Sequence, residues 1–362
     1  MRARLQGFAR RWWAGAYGLP GLLLRLLLAP LSWLWALETA RRARRFDRAG
    51  GRAVEGLRVV SVGNLAVGGT GKTPVAAWVA RALSSRGAKP ALVLRGYGRD
   101  EALLHGVWNP DVPVVVEAHR VRGARRAADE GADTVVLDDG FQHRSLARDL
   151  DLVLLSADDP FPAPVLPCGP YREPPAALAR ADAIVLTRRA ASADAARALA
   201  AAVAAMPGVA AVAVVASVHL TADGLVRLAE WREGARRGSG HGIRSSAAPR
   251  DAASALPPFD VSRGVLVLTG IARPDTLRAY LQALLQGPVD LLARPDHHEF
   301  TAGEAREARA LAGDRPIVVT EKDAVKLVGH AEVLGDAWVL RQRLDWDWGE
   351  DELAALVAAV GS

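Results

Sequence analysis

Cysteine is nearly absent from this chain: Cys168 is the only one in 362 residues. An intramolecular disulfide is therefore excluded, and the composition suits a reducing compartment. Lysine is almost as scarce, with Lys72, Lys89, Lys322 and Lys326 standing against 42 arginines. A chain so biased towards Arg keeps Lys where Arg would not serve, and Lys72 and Lys322 both fall in motifs described below. Acidic residues are missing from one region in particular. The first fifty residues carry ten arginines against only Glu38 and Asp47, a local net charge of +8, whereas the whole chain sums to +6. The remainder is thus slightly acidic. The pI near 9.9 belongs to the N-terminal segment, and the body of the protein has no basic footprint for nucleic acid.

Long apolar runs are also few, and the longest lies in that same basic segment. Residues 18–37 read GLPGLLLRLLLAPLSWLWAL, preceded by Arg2, Arg4, Arg10 and Arg11 and followed by Arg41, Arg42, Arg44 and Arg45. Trp12, Trp13, Trp33 and Trp35 flank or end the run, as interfacial aromatics do. An arginine cluster follows it rather than a small-residue cleavage site, which argues against a removable signal peptide. Arg25 near its centre costs about 2.5–3.5 kcal/mol on insertion scales, Pro20 and Pro30 are expected to interrupt a helix, and both flanks are basic. The expected arrangement is a segment that dips into or lies on the cytoplasmic leaflet, its arginines meeting anionic headgroups. Packing on the protein's own body is the alternative.

The densest motif follows at residues 57–80, LRVVSVGNLAVGGTGKTPVAAWVA. Leu57, Val59, Val60 and Val62 form a short apolar run bounded by glycines, the pattern of a buried parallel strand. Gly63, Gly68, Gly69 and Gly71 are expected to take positive φ and turn successive N–H groups inward as an anion nest. Pro74 suits the first turn of a helix whose N-terminus points at the same place. Lys72 would reach the β- and γ-phosphates of a nucleotide, and the Thr73 hydroxyl would hold Mg²⁺. The strict phosphate-loop pattern has Gly where this chain has Ala66.

Strands and helices alternate beyond the cradle. A strand at 90–94 leads into Arg95-Gly96-Tyr97-Gly98-Arg99-Asp100-Glu101, read as a loop whose arginines could meet phosphate and whose Asp100 could reach an acceptor hydroxyl, or as a solvated turn. Another strand at 112–116 is followed by Arg120, a candidate anion ligand. The apolar run 132–137 closes in Asp138-Asp139-Gly140-Phe141-Gln142-His143. A carboxylate ending a buried strand downstream of such a loop is the Walker-B arrangement for Mg²⁺ or its waters. Adjacent acids point apart on a strand, so Asp138 and Asp139 are expected to differ in their tasks. Further strands are expected at 152–155, 184–186 and 212–215 and a helix at 192–206, while 212–220, the turn 221–224 and 225–228 suggest a hairpin. Residues 231–262 carry Gly, Ser, Pro and Arg without apolar periodicity and read as a linker or flexible insertion. A smaller α/β unit begins after it. One of its strands ends in Arg294-Pro295-Asp296-His297-His298, more suited to proton transfer than to zinc, and another leads into Glu321-Lys322-Asp323, whose role stays open.

With these segments in view, the whole chain resembles the tetraacyldisaccharide 4′-kinases, membrane-associated kinases of lipid A biosynthesis. The motifs, in order, are SVGNLAVGGTGKTP, RGYGR, LDDGFQHR, YREP, LTR at 186–188, GIARP, PDHH and VTEKDAVK. The resemblance implies an ATP·Mg²⁺-dependent transfer to the 4′-hydroxyl of a tetraacyl glucosamine disaccharide 1-phosphate at the cytoplasmic face of the bacterial inner membrane. It implies two α/β/α domains joined by a two-stranded linker with a helical anchor at the N-terminus. A loop without the strict first glycine, as at Ala66, is also the family's. The family's catalytic acid matches Asp100, its partner histidine matches His297, and the arginine twenty positions after the acid falls on Arg120. This chain departs from the pattern where Asp100 follows Arg99 directly and where Ala102 replaces Pro.

The expected fold is therefore α/β: a P-loop NTPase-like, mostly parallel sheet with helices on both faces, a second smaller α/β domain and an N-terminal membrane-associated helix. The expected organisation is an anchor at 1–50, a nucleotide domain at 51–216, a hairpin linker and insertion at 217–262 and a C-terminal domain at 263–362. Ala66, Val67, Gly68, Gly69, Thr70, Gly71, Lys72, Thr73 and Arg172 would bind the nucleotide; Thr73, Gln142 and Glu173 would hold Mg²⁺; Asp138 and Asp139 would serve the Walker-B role. Asp100 would take the acceptor proton, oriented by His297 from the other domain on closure. The expected partners are the lipid A disaccharide precursor and the membrane surface, with no nucleic acid and no obligate protein partner. The competing reading is a P-loop ATPase or GTPase switch recruited to the membrane to bind a protein. An N-K-x-D guanine signature is absent, Leu186-Thr187-Arg188-Arg189 standing where it would be.

Overall fold

The computed structural model describes residues 2–96, 98–209, 212–231 and 259–361, with side chains from residue 7 onward. Most of the expected insertion, residues 232–258, lies outside the described residues, as do Tyr97 and the side chains of Arg2 and Arg4. The chain divides into two compact units. The first comprises Met1–Arg95, Glu117–Val218 and Asp347–Ser362, and the second Gly96–Val116 and His219–Trp346. Gly96–Val116, which chain order assigns to the nucleotide domain, thus folds as part of the second unit.

The strands in chain order are β1 Arg58–Asn64, β2 Pro90–Leu94, β3 Val114–Val116, β4 Thr134–Asp138, β5 Leu150–Ser156 and β6 Ala183–Arg188. They continue with β7 Ala213–Arg227, β8 Val265–Thr269, β9 Val289–Ala293, β10 Ile317–Thr320 and β11 Ala337–Trp348. In the first unit the order is β2-β4-β1-β5-β6, with every pairing parallel. β1 sits where the chain, having built β2 and β4 on one side, crosses to build β5 and β6 on the other. That reversal is where open α/β sheets bind ligands. Burial on both faces explains the unbroken apolar runs: every residue of β2 and β4 is buried. A cluster including Leu65, Phe141, Val153, Tyr171, Leu178 and Ile184 packs one side of this sheet.

In the second unit β11-β10-β8-β9 is also parallel, with Val265, Val267, Leu281 and Val318 among its core residues. The expected hairpin does not form. β7 runs unbroken through Thr221, Ala222, Asp223 and Gly224. Turn chemistry is present there, but tertiary partners hold the segment extended. The Ala222 N–H donates to the Tyr280 hydroxyl at 2.9 Å, and Asp223 pairs with Arg341 at 3.6 Å.

Two helices open the chain, α1 at Arg2–Trp13 and α2 at Gly18–Ala49. α2 continues through both prolines, against the expected interruption. Pro20 lies in the first turn, where amides have no intrahelical acceptor, and Pro30 removes one hydrogen bond from a helix of 32 residues. α2 is long and apolar enough to cross a membrane, and only 11% of its most apolar window is buried. Leu19, Leu23, Leu26, Leu27, Trp33 and Leu34 are all exposed. Polar contacts fasten it to the first unit: Ser32 Oγ donates to Val165 O at 3.2 Å and accepts from Cys168 N, and Trp35 Nε1 donates to Arg172 O at 2.8 Å.

Candidate active site

The phosphate-loop geometry arises at the carboxyl end of β1. Gly68 and Gly71 take positive φ, +130° and +81°, and Gly71 is the N-cap of the helix α3, Lys72–Ser84. A side chain at either position would be strained. Gly63, also expected to turn, serves another purpose: a Cβ there would lie 2.5 Å from Phe141 Cβ, so its lack of a side chain admits the DDGF turn. Gly69 has no positive φ. Asn64 Nδ2 donates to Thr70 Oγ1 at 2.7 Å, and Thr187 Oγ1 donates to Thr70 O at 2.9 Å. The YREP segment braces the other side, with Val67 N donating to Pro170 O and Arg172 N to Leu65 O. Ala66 and Tyr171 form an antiparallel bridge, so Ala66 takes part in a strand-like contact that does not need glycine.

Lys72 Nζ lies 3.5 Å from Gly68 O and 3.5 Å from Asp139 Oδ1. Arg172 Nη1 donates to Asp139 at 2.8 Å and to Gln142 Oε1 at 3.1 Å. Gln142 Nε2 in turn donates to Asn64 O at 2.8 Å. Burial pushes the Asp139 carboxyl up, but the charges of Lys72 and Arg172 outweigh it and hold it at about 2. Asp139, with φ of +60°, faces the cradle's lysine, while Asp138 is buried at the end of β4. The two acids therefore differ in surroundings, as their adjacency implied. Glu173 is paired with Arg180 at 2.9 Å. Arg120 is buried, its guanidinium donating to Glu117 O and Asp138 O. Burial and the charges of Arg120 and Arg95 push His143 down to about 4.

In the second unit, Asp100 lies in the first turn of the helix α4, Arg99–Trp108, rather than in a loop. Its carboxylate is buried and meets His297 Nδ1 at 2.9 Å. The expectation that closure brings these residues together from separate domains is overturned, since both belong to one unit and are already paired. Gly98 lets them approach: a Cβ there would stand 2.4 Å from Asp100 Oδ1 and 2.6 Å from His297 Nδ1. His297 has φ of +59°, a strained backbone of the kind that collects at functional sites.

The helix Glu321–Leu327 adds two lysines to the pair. Lys326 Nζ lies 3.3 Å from Asp100 Oδ2, and Lys322 Nζ lies 3.8 Å from the same oxygen. Burial alone would push Asp100 up. The His297 hydrogen bond and the charges of Lys322, His297 and Lys326 hold it far below the usual carboxylate range instead. The hydrogen bond that His297 donates to Asp100 raises the imidazole above its ordinary value. A carboxylate only accepts, so Nδ1 carries the hydrogen and Nε2 has the free lone pair. Lys326 was not singled out as a site residue in the sequence. Its rarity as a lysine and its place at the end of VTEKDAVK were the signals that could have found it.

A family model described as tetraacyldisaccharide-1-P 4′-kinase matches residues 24–109 and 100–361. Tetraacyldisaccharide 4′-kinases from Anaeromyxobacter dehalogenans (strain 2CP-C) and Syntrophobacter fumaroxidans are 38% and 36% identical to this chain, over 98% and 96% of its length and 95% and 91% of theirs. Among solved structures, the "apo" form of LpxK from Aquifex aeolicus in complex with ATP is similar in fold, with a TM-score of 0.66, 24% identity, and coverage of 94% of this chain and 100% of that one.

Proposed function

The chain belongs to the tetraacyldisaccharide-1-P 4′-kinase family, and from that premise we propose that it transfers the γ-phosphoryl group of ATP to the 4′-hydroxyl of a tetraacyl glucosamine disaccharide 1-phosphate, the lipid A precursor. The preformed Asp100–His297 pair carries this reading, because a nucleotide switch has no use for a proton acceptor on a second unit. The loop from Ala66 to Thr73 cradles the triphosphate on its N–H groups and on the N-terminus of α3. Lys72, now against Gly68 O and Asp139, turns to the β- and γ-phosphates, and Arg172 keeps Asp139 compensated.

Magnesium needs only one or two protein oxygens beside those of the phosphates. The hydroxyl of Thr73, the amide of Gln142 and the carboxylate of Glu173 suit a hard cation. Gln142 and the residue before Glu173 are both tied to the backbone that leads into the loop. When bound, the ion neutralises charge on the transferring group. Asp138 and Asp139 would serve to hold water at such an ion.

As the bond from the 4′-oxygen to the γ-phosphorus forms, the bond from that phosphorus to the β,γ-bridging oxygen breaks and ADP leaves. The hydroxyl proton passes to His297 Nε2. Asp100 fixes the Nδ1–H tautomer and stabilises the imidazolium. The proton expected at Asp100 from the sequence goes here to His297 Nε2, because the Asp100 carboxylate is already engaged by His297 Nδ1 and Lys326 Nζ. Arg120 positions the end of β4 through the Asp138 carbonyl.

The exposed apolar face of α2 and its arginine-rich C-terminal half, residues 41–48, support association with the cytoplasmic leaflet of the inner membrane. The deciding experiment is transfer of labelled γ-phosphate from ATP to extracted lipid A precursor in detergent. Label on the glycolipid at the 4′ position supports the proposal; ATP hydrolysis unaffected by the lipid, with none labelled, refutes it.

A further inference from the structure

The segment VTEKDAVK is not used by phosphate-loop chemistry, yet it builds an enclosed charge cluster in the second unit. Lys326 and Asp100 are each 1% exposed and Asp323 is 0% exposed. Lys326 Nζ lies 3.3 Å from Asp100 Oδ2 and 3.7 Å from Asp323 Oδ1, over the ring of Phe300. Asp323 accepts from Gly270 N at 2.9 Å, Thr269 Oγ1 at 2.7 Å and Thr320 Oγ1 at 2.7 Å. Gly270 O accepts from His297 N at 3.1 Å. The contacts close on themselves, from Asp100 to His297, Gly270, Asp323, Lys326 and back to Asp100. Burying an ammonium with two carboxylates is costlier than packing apolar groups of the same volume, and such clusters concentrate at functional sites.

We propose that Lys326, keyed to Asp323, is a positioning residue for the Asp100–His297 pair, holding the Asp100 carboxylate in place as an anion beside Nδ1 and limiting how strongly that anion retains a proton on the imidazole. The proposal rests on the kinase reading of this site. The charged groups facing the pair are Asp296, with Oδ2 3.9 Å from His297 Nε2, and Lys322 and Lys326 from the helix Glu321–Leu327. Glu101 on α4 lies 3.7 Å from Lys322. With Lys326 present, part of the Asp100 charge is spent on the ammonium. Without it, the whole charge acts on His297 and raises its affinity for a proton.

The test is a histidine-labelled NMR titration of the full chain in detergent, with the His297 signal assigned by its loss in His297→Gln, alongside pH–rate profiles. Lys326→Met keeps the stem over Phe300 and removes the charge. It is expected to raise the His297 midpoint by about half a pH unit or more and to shift the acid limb of kcat/KM equally. It should lower kcat by about tenfold or more and leave KM for ATP within about twofold. Lys326→Arg should restore the midpoint to within about 0.2 pH units of wild type. Asp323→Asn removes a negative charge from the other side of Lys326 and should move the midpoint down.

A Lys326→Met chain that melts earlier but titrates as wild type would assign Lys326 a structural role and overturn the proposal, as would a midpoint that rises in both Lys326→Met and Asp323→Asn. If Lys326→Met does not fold, the downward shift required of Asp323→Asn and the unmoved midpoint required of Lys326→Arg decide the matter. The expected shifts in a wild type that labels no glycolipid would remove the kinase reading and uphold the electrostatic coupling, so the two failures are distinguishable.

Discussion

Asp100 and His297 stand 197 positions apart in the chain and 2.9 Å apart in space, carboxylate against imidazole, within one compact unit. A preformed pair of this kind needs no rearrangement to present a proton acceptor. Asp100→Asn and His297→Gln should each lower kcat by about 10²–10⁴-fold. KM for ATP should stay within about threefold, because the phosphate loop belongs to the other unit. Steady-state kinetics at saturating glycolipid check this, and a variant that keeps kcat within about threefold of wild type would end the acid–base assignment.

The pair also sets a pH dependence with a definite sign. The Asp100 hydrogen bond raises His297 above its ordinary value near 6.5, and a protonated imidazole cannot take the acceptor's proton. Activity should therefore fall as pH drops through a midpoint above 6.5. In the residual activity of Asp100→Asn, which has lost the negative charge and offers Nδ1–H only a neutral amide oxygen, that midpoint should move down. A profile of kcat/KM against pH with unchanged acid limbs in the two proteins would contradict the coupling.

Gly98 offers a probe that leaves every charged group in place. Its Cβ would stand 2.4 Å from Asp100 Oδ1 and 2.6 Å from His297 Nδ1, so Gly98→Ala must separate the two. The backbone at Gly98 has φ of −144°, open to any residue, and the cost is therefore spatial. We expect kcat to drop by about tenfold or more with a modest change in melting temperature. Full activity in this variant would show that the pair need not touch.

In the cradle, Lys72 and Arg172 share Asp139 but should differ in their effects. Lys72→Ala should cost about 10²–10³-fold in kcat, since its charge acts on the transferring group. Arg172→Ala leaves Asp139 less compensated and should chiefly weaken ATP binding, by about tenfold in KM. Nucleotide titration together with turnover separates the two, and equal losses in kcat for both variants would argue that Arg172 also reaches the γ-phosphate.

For α2, Leu27 and Leu34 are 74% and 62% exposed. Transferring each from water into lipid is worth about 2 kcal/mol, so Leu27→Glu with Leu34→Glu should reduce partitioning into anionic vesicles by about 10²-fold or more. ATP affinity should be unchanged. Sedimentation with vesicles measures the first and nucleotide titration the second. Undiminished partitioning would mean that another surface holds the protein at the membrane.

Features encoded in consecutive residues could be read from the chain alone. The strand, glycine turn and helix N-terminus of residues 57–80 depend on local backbone preferences, and the loop appears where the pattern puts it. The apolar strand that ends at Asp138 and the alternation of strands and helices were legible for the same reason. Local chemistry misled where tertiary partners outweighed it. Thr221 to Gly224 carry turn residues but stay extended beside Tyr280 and Arg341, and Pro30 sits inside an unbroken helix. Which unit holds Asp100, and that His297 and Lys326 close on it, follows from packing alone. These depend on contacts between segments some two hundred positions apart, and no local spacing encodes which strand of a parallel sheet lies beside which.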